Sequence, residues 1–216
     1  MKAADPDNRY PCDQVVPIEQ EPRHHLVIEN EFVRAFAVEI APHERTLCHH
    51  HPQDYLLYVA SGAEIVSAAR GEGPKRLNYS DGECEMSAAG MTHVVENLGE
   101  KPFRNIVVEM LPGVKLARGG DPKFVKGSGR VDRVFGDERA AVFEVTMEVG
   151  ADLEVDGPAV VTNAHRDSPA FDGDQEAQAN ELFTELSWVG PTRRVGLRNP
   201  GETQQTVLIF QLGRLG

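Results

Sequence analysis

The chain is predicted to be all-β, folded as two tandem β-barrels, and three observations lead there. Apolar and polar residues alternate in short runs over 26–40, 54–66 and 103–111, the period of two that puts every second side chain on one face of a strand. Gly, Pro and Asn clusters separate the runs, as turns between strands require. The third observation is an internal duplication: 85–93 reads EMSAAGMTH and 185–193 reads ELSWVGPTR, each leading into a segment with an asparagine, Asn97 or Asn199.

Taken in order, residues 1–22 are polar and proline-rich without a steady period, and are expected as an extended N-terminal arm. Residues 23–113 carry the first set of strand patterns. The stretch 114–133 is rich in Gly, Lys and Pro and is expected to be a linker. Strand patterning resumes for the second barrel, 134–216. One helix candidate, 175–186, has Leu182, Phe183 and Leu186 at helical spacing. Leu182, Thr184, Leu186 and Trp188 also alternate, and the duplication favours that strand reading.

With 216 residues the chain is long enough for two small domains, and 40% hydrophobic with 26% charged residues is ordinary for a folded globular protein. A net charge of -12 and the lack of any basic stripe argue against a nucleic-acid partner. No apolar run reaches the length of a membrane span, so no membrane partner is expected, and the opening segment does not read as an export signal. The default expectation is a cytoplasmic chain, with a secreted or periplasmic one the alternative should the natural start lie upstream. Cys12, Cys48 and Cys84 are too few and scattered for a disulfide framework and are expected as ordinary packing or surface thiols.

The chemically informative stretch is 43–62, HERTLCHHHPQDYLLYVASG, followed by 82–97, GECEMSAAGMTHVVEN. On a strand, His49 and His51 share a face while His50 points away. A barrel can bring His93 to the same point. Three neutral imidazoles suit one divalent transition metal such as Fe, Zn, Ni or Mn, with positions left open. His24, His25 and His43 are expected at loop and strand edges, and His165 is isolated. Gly71-Glu72-Gly73 lacks the context of a phosphate loop and reads as a turn.

These two stretches resemble the cupin family. Its second motif fits from Gly82 through Gly90 and His93 to Asn97, with Ala88 in place of proline. Its first fits at His49, His51 and Gly62, with His43 where the opening glycine stands. The resemblance implies double-stranded β-helix, or jelly-roll, barrels in tandem. Tyr55 occupies the position of the family's glutamate ligand, and Asp54 is the carboxylate beside it. Pro52 can break the strand alternation, so the ligand set is three histidines with Tyr55 alongside, or three histidines plus Asp54. Asn97 is expected either to orient a ligand or to close a turn, and His50 to stand behind the ligands or face solvent.

Three-histidine sites in the family look like those of thiol and diketone-cleaving dioxygenases. By resemblance the chain is therefore expected to be a mononuclear, metal-dependent, dioxygenase-like oxidoreductase of a small organic molecule, with Tyr55 as a hydrogen-bond or proton donor. A non-catalytic barrel that binds or senses a metal or small ligand is the alternative. In the second half the duplication places Asp156, Gly157 and Pro158 opposite His49–His51, and Arg193 or Arg194 opposite His93. That half is expected to hold no metal, and its arginines to be solvated. The second barrel would cover surface that single barrels bury by dimerising, and a further homodimer remains an expectation because sheet edges pair.

Overall fold

The computed structural model describes residues 9–111, 119–163 and 186–213. Among them the chain is β-structure joined by turns, with a single 3-10 turn at Ile18–Gln20 and no α-helix. No helix among the described residues is long and apolar enough to cross a membrane. The chain divides into two compact units, Met1–Pro112 and Gly113–Gly216.

Among the described residues the first unit has ten strands: β1 (Val16–Pro17), β2 (His24–Glu29), β3 (Val33–Ile40), β4 (His49–His51), β5 (Asp54–Ser61), β6 (Glu64–Ala69), β7 (Lys75–Asn78), β8 (Cys84–Ser87), β9 (Met91–Asn97) and β10 (Phe103–Met110). They form two five-stranded sheets, ordered β1-β4-β9-β6-β7 and β2-β3-β10-β5-β8. Phe36, Val38 and Ile40 of the second sheet meet Ile65 and Val95 of the first in the core between them. β3, β5 and β10 are buried on both faces, which is why they read as nearly continuous apolar runs.

Motif positions fall where backbone geometry demands them. Gly82 and Gly90 adopt φ of 85° and 94°, the left-handed region that a side chain disfavours. His43, standing where the family has its opening glycine, is the one non-glycine among the described residues with positive φ, at 60°.

Part of the arm is built into the barrel. β1 pairs in parallel with β4, Val16 opposite His49, and Ile18 is fully buried. Cys12 and Cys48 are joined by a disulfide, against the expectation of separate thiols. Sequence spacing alone could not pair them, because the arm must first fold back along β4. Cys84 is a free thiol whose pKa burial pushes up to about 12, so it is inert near neutral pH.

The second unit has β11 (Lys123–Lys126), β12 (Gly129–Gly136), β13 (Ala140–Met147), β14 (Asp152–Asp156), β15 (Ala159–Asn163), β16 (Ser187–Val189), β17 (Arg194–Arg198) and β18 (Gln205–Leu212). Its five-stranded sheet is ordered β12-β13-β18-β15-β16, the same arrangement as β2-β3-β10-β5-β8, and β11-β14-β17 faces it. The stretch 114–133 is therefore not simply a linker, because β11 and the start of β12 lie within it. Both are edge strands and mostly exposed, so their apolar signal is thin, yet Phe124 and Val131 pack on the core. The helix candidate, apart from Leu186, and His165 lie outside the described residues.

One pair of asparagines fixes the correspondence between the units. The Asn97 carboxamide donates to Ile40 O (2.9 Å) and Lys101 O (2.8 Å) and accepts from Gly99 N. Asn199 donates to Met147 O (3.0 Å) and Thr203 O (2.9 Å) and accepts from Gly201 N. Both are fully buried. Asn97 thus closes a turn and orients no metal ligand, which decides between its two expected roles.

Strand registers carry the match inward from that point. His24 pairs across with Val38 as Val131 does with Val145, and His49 pairs with His93 as Val155 does with Val195. Glu109 faces Tyr55 as Gln211 faces Ala159. The counterpart of His93 is therefore Val195 and not Arg193 or Arg194, because the second copy has two extra residues between Gly190 and Asn199. By the same register Val155 and Gly157 stand where His49 and His51 do. Arg194 lies outside, paired with Asp156 (2.5 Å) and Glu154 (3.3 Å). Among the described residues, Val131, Val155, Val195, Phe143 and Ile209 pack together in the core of the second barrel, with hydrocarbon where the first has imidazoles.

Candidate metal centre

Period-two geometry places His49 and His51 on the inner face of β4, and antiparallel pairing with β9 sets His93 directly opposite His49. The ring centroids lie 4.6 Å apart for His49 and His93, 5.0 Å for His49 and His51, and 5.3 Å for His51 and His93. The facing sheet adds His24 from the start of β2, its centroid 4.6 Å from His49 and 6.0 Å from His51. His24, His49 and His51 each bring a nitrogen within 4.8 Å of the others. His93 is outside that triplet, with its ring against His49 and His51.

His24 was expected at a strand edge, and here it is buried and part of the cluster. A signal was present in the sequence: Glu21 lies three residues before it, and the two are in hydrogen-bond contact, Nδ1 to Oε2 at 2.7 Å. Nothing in sequence, however, says that β2 faces β4 across the barrel.

Three of the four imidazoles, His24, His49 and His93, are held from behind by a hydrogen bond. Since Leu47 O can only accept, His49 Nδ1 donates to it at 2.9 Å, leaving Nε2 as a lone pair. His49 Nε2 is buried without a partner. His93 Nδ1 lies 3.2 Å from Ser67 Oγ. His51 Nδ1 lies 3.7 Å from Glu109 Oε1, beyond hydrogen-bond reach, and both atoms are buried and unpartnered. Glu109 Oε2 is held by Arg34. Burial raises the Glu109 carboxyl pKa, against the downward pull of Arg34.

Burial also disfavours protonation of the imidazoles. It lowers His49 to about 2 and His93 to about 4, aided by neighbouring histidines, and drives His51 down further still. These rings are neutral across the physiological range. Glu21 behaves oppositely: burial opposes its charge, but bonds from His24, Leu47 N and Arg23 N prevail and bring it to about 2.

Of the two residues competing for the glutamate position, Tyr55 faces inward and Asp54 does not. Tyr55 stacks on His51 and lines the cavity, whereas Asp54 Oδ1 accepts from Ala89 N (2.8 Å). The strand alternation resumes unbroken at β5, so Asp54 is removed from the ligand set. His50 points away from the cluster and meets Thr92 Oγ1 at 2.8 Å. Burial raises the Tyr55 pKa, partly offset by its hydrogen bond with Ser87, so the hydroxyl stays protonated.

The four rings border a cavity of about 350 Å³. Val38, Leu57, Val95 and Val107 form much of its wall, and Glu72, Lys75 and Glu85 belong to its exposed rim. Gly71-Glu72-Gly73 is a turn there, as expected. A divalent transition metal fits this donor set: His49, His51 and His93 are neutral, they converge with His24, and a buried lone pair such as that of His49 Nε2 carries a desolvation cost unless something binds it.

No family model and no curated protein sequence matches the chain. Solved structures do resemble it. A vicilin from Capsicum annuum superposes with a TM-score of 0.63 at 13% identity, over 90% of this chain and 83% of that one. AerE from Microcystis aeruginosa gives 0.54 at 13% identity, covering 89% and 98%. A cupin 2 conserved barrel domain protein from Leptotrichia buccalis gives 0.50 at 12% identity, covering 88% of each. Together with the repeated sheet order and the paired asparagines, these likenesses show that the chain has the cupin fold twice in tandem, with a histidine cluster able to hold a metal in the first barrel.

Proposed function

We propose that the first barrel binds one divalent transition metal through His49, His51 and His93, with His24 as a fourth ligand, and acts as a dioxygenase-like oxidoreductase on a small organic molecule. The observation that carries this reading is the convergence of four imidazoles, His24, His49 and His51 buried and His93 half-buried, one with an unpartnered lone pair, on a cavity of substrate size. A redox-active ion such as ferrous iron would supply a Lewis-acidic centre with open positions for substrate and oxygen.

The chain's own residues do the rest. Glu21, Leu47 O and Ser67 orient His24, His49 and His93. The apolar wall excludes water from the reacting face. Tyr55, protonated beside His51, holds a proton at its hydroxyl for donation to substrate.

Elemental analysis of the purified protein, with oxygen uptake measured in ferrous ion over a panel of small ketones, acids and thiols, tests this. Stoichiometric metal and uptake above free iron support it. Metal without uptake leaves a binding module, and no metal removes the oxidoreductase together with any metal-binding module.

A further inference from the structure

Asn105 sits in the middle of β10 with its side chain on the inner face, in register with Val38 on one side and Val59 on the other. It is 3% exposed and lines the cavity. Among the described residues its carboxamide makes no hydrogen bond, unlike Asn97 and Asn199, whose carboxamides donate and accept several. Its counterpart in the filled barrel, matched through Val145, is Val207.

The Asn105 amide atoms open on the cavity and are not sealed from it, so they pair with solvent or with a bound molecule, whereas valine is well suited to this strand position. A carboxamide kept in an apolar wall and turned toward a cavity is therefore provided with its partner by whatever enters. We infer that Asn105 is the substrate-recognition residue of the first barrel, and that it reads a neutral carbonyl or hydroxyl group on a small, otherwise apolar molecule.

The chemistry of the wall narrows the class. Val38 stands beside Asn105 in register, and Leu57, Phe103 and Val107 add hydrocarbon to the same cavity wall. Among the described residues Lys75 is the sole lysine or arginine lining the cavity, and it is exposed and paired with Glu72 at 2.8 Å. Among the described side chains none would neutralise a carboxylate at Asn105, which would have to look to the proposed metal for its counter-charge, whereas a ketone or alcohol oxygen needs only the amide's N–H or C=O. Asn105 also lies four residues along β10 from Glu109, about 13 Å at strand rise. It is thus set apart from the Glu109–His51 contact, and a molecule in the cavity can meet it without displacing a metal ligand.

This inference deepens the proposed function and rests on it for taking the cavity as the substrate's. The test is full-length protein, zinc-loaded and chelator-treated, titrated by calorimetry with two ketone and alkene pairs of equal shape: acetophenone with α-methylstyrene, and cyclohexanone with methylenecyclohexane. Benzoate serves as the charged control. The expected result is ketone binding about tenfold tighter than alkene, no gain for benzoate, and loss of the preference in Asn105→Val. That variant should keep its metal content and melt at or above the wild-type temperature, whereas a purely structural amide would leave it less stable. The inference is overturned if the ketones do not bind, if the preference survives in the variant, if benzoate binds best, or if the variant is destabilised. Metal content decides the earlier reading separately: a ketone preference that depends on Asn105 in protein taking up no metal would sink the oxidoreductase and leave this assignment standing.

Discussion

The Tyr55 ring stacks on the His51 imidazole, centroids 4.2 Å apart and planes inclined by 23°. Tyr55 thus braces the His51 imidazole with its face and presents its hydroxyl at the edge. Tyr55→Phe retains the stacking and removes the hydroxyl alone. Metal content is expected to stay as in wild type while turnover on an identified substrate falls about a hundredfold. Equal turnover would reduce Tyr55 to packing.

Replacing both His49 and His51 with alanine is expected to abolish metal uptake, read by plasma emission spectroscopy on dialysed protein. The single change His24→Ala should lower affinity and leave some binding, because His93 still flanks His49. Uptake unaffected by His24→Ala would return the site to three histidines.

Glu21 supports two histidines of the cluster at once. It accepts from His24 Nδ1 and from Leu47 N (3.1 Å), and the Leu47 carbonyl in turn holds His49. Glu21→Gln keeps the shape and is expected to weaken metal affinity by about 10–100-fold in competition with a chelator. An unchanged affinity would show that the imidazoles orient themselves.

The metal-free protein should lose stability in acid. His93 and His49 have folded pKa values of about 4 and 2 against an ordinary 6.5, so below pH 6.5 the unfolded chain takes up protons that the folded one refuses. Stability then falls with pH at up to about 1.4 kcal/mol per unit for each such group. Glu21, held near 2 against 4.5, adds a second loss below pH 4.5. Urea unfolding at a series of pH values checks this, and a flat profile between pH 6.5 and 4 would contradict it.

The disulfide closes a loop of 36 residues. Reduction, or Cys12→Ser, is expected to cost about 4 kcal/mol of unfolding free energy, measured by denaturant titration with and without reductant.

The barrel fold and the pair on β4 were legible because period-two alternation and turn residues are local signals. His49 and His51 needed only that period. His93 required the second motif, and the orientation of Tyr55 required knowing that β5 resumes its alternation after Pro52. What stayed hidden depends on contacts across sheets. His24 and Glu21 join the site only because β2 and β4 belong to facing sheets, and Cys12 meets Cys48 only once β1 has paired with β4. The correspondence of Arg193 with His93 failed by two residues, a shift that an ungapped comparison cannot see and that the hydrogen bonds of Asn97 and Asn199 reveal.

Those two asparagines have a practical consequence. The frame of each half is secured at its rim, independently of whether the interior is hollow or filled, so the molecule contains its own blank. A set of interior exchanges, His24 for Val131, His49 for Val155, His93 for Val195, can be attempted in either direction without disturbing the latch. The C-terminal half then serves as a built-in reference for how much of the chemistry belongs to the scaffold and how much to its lining.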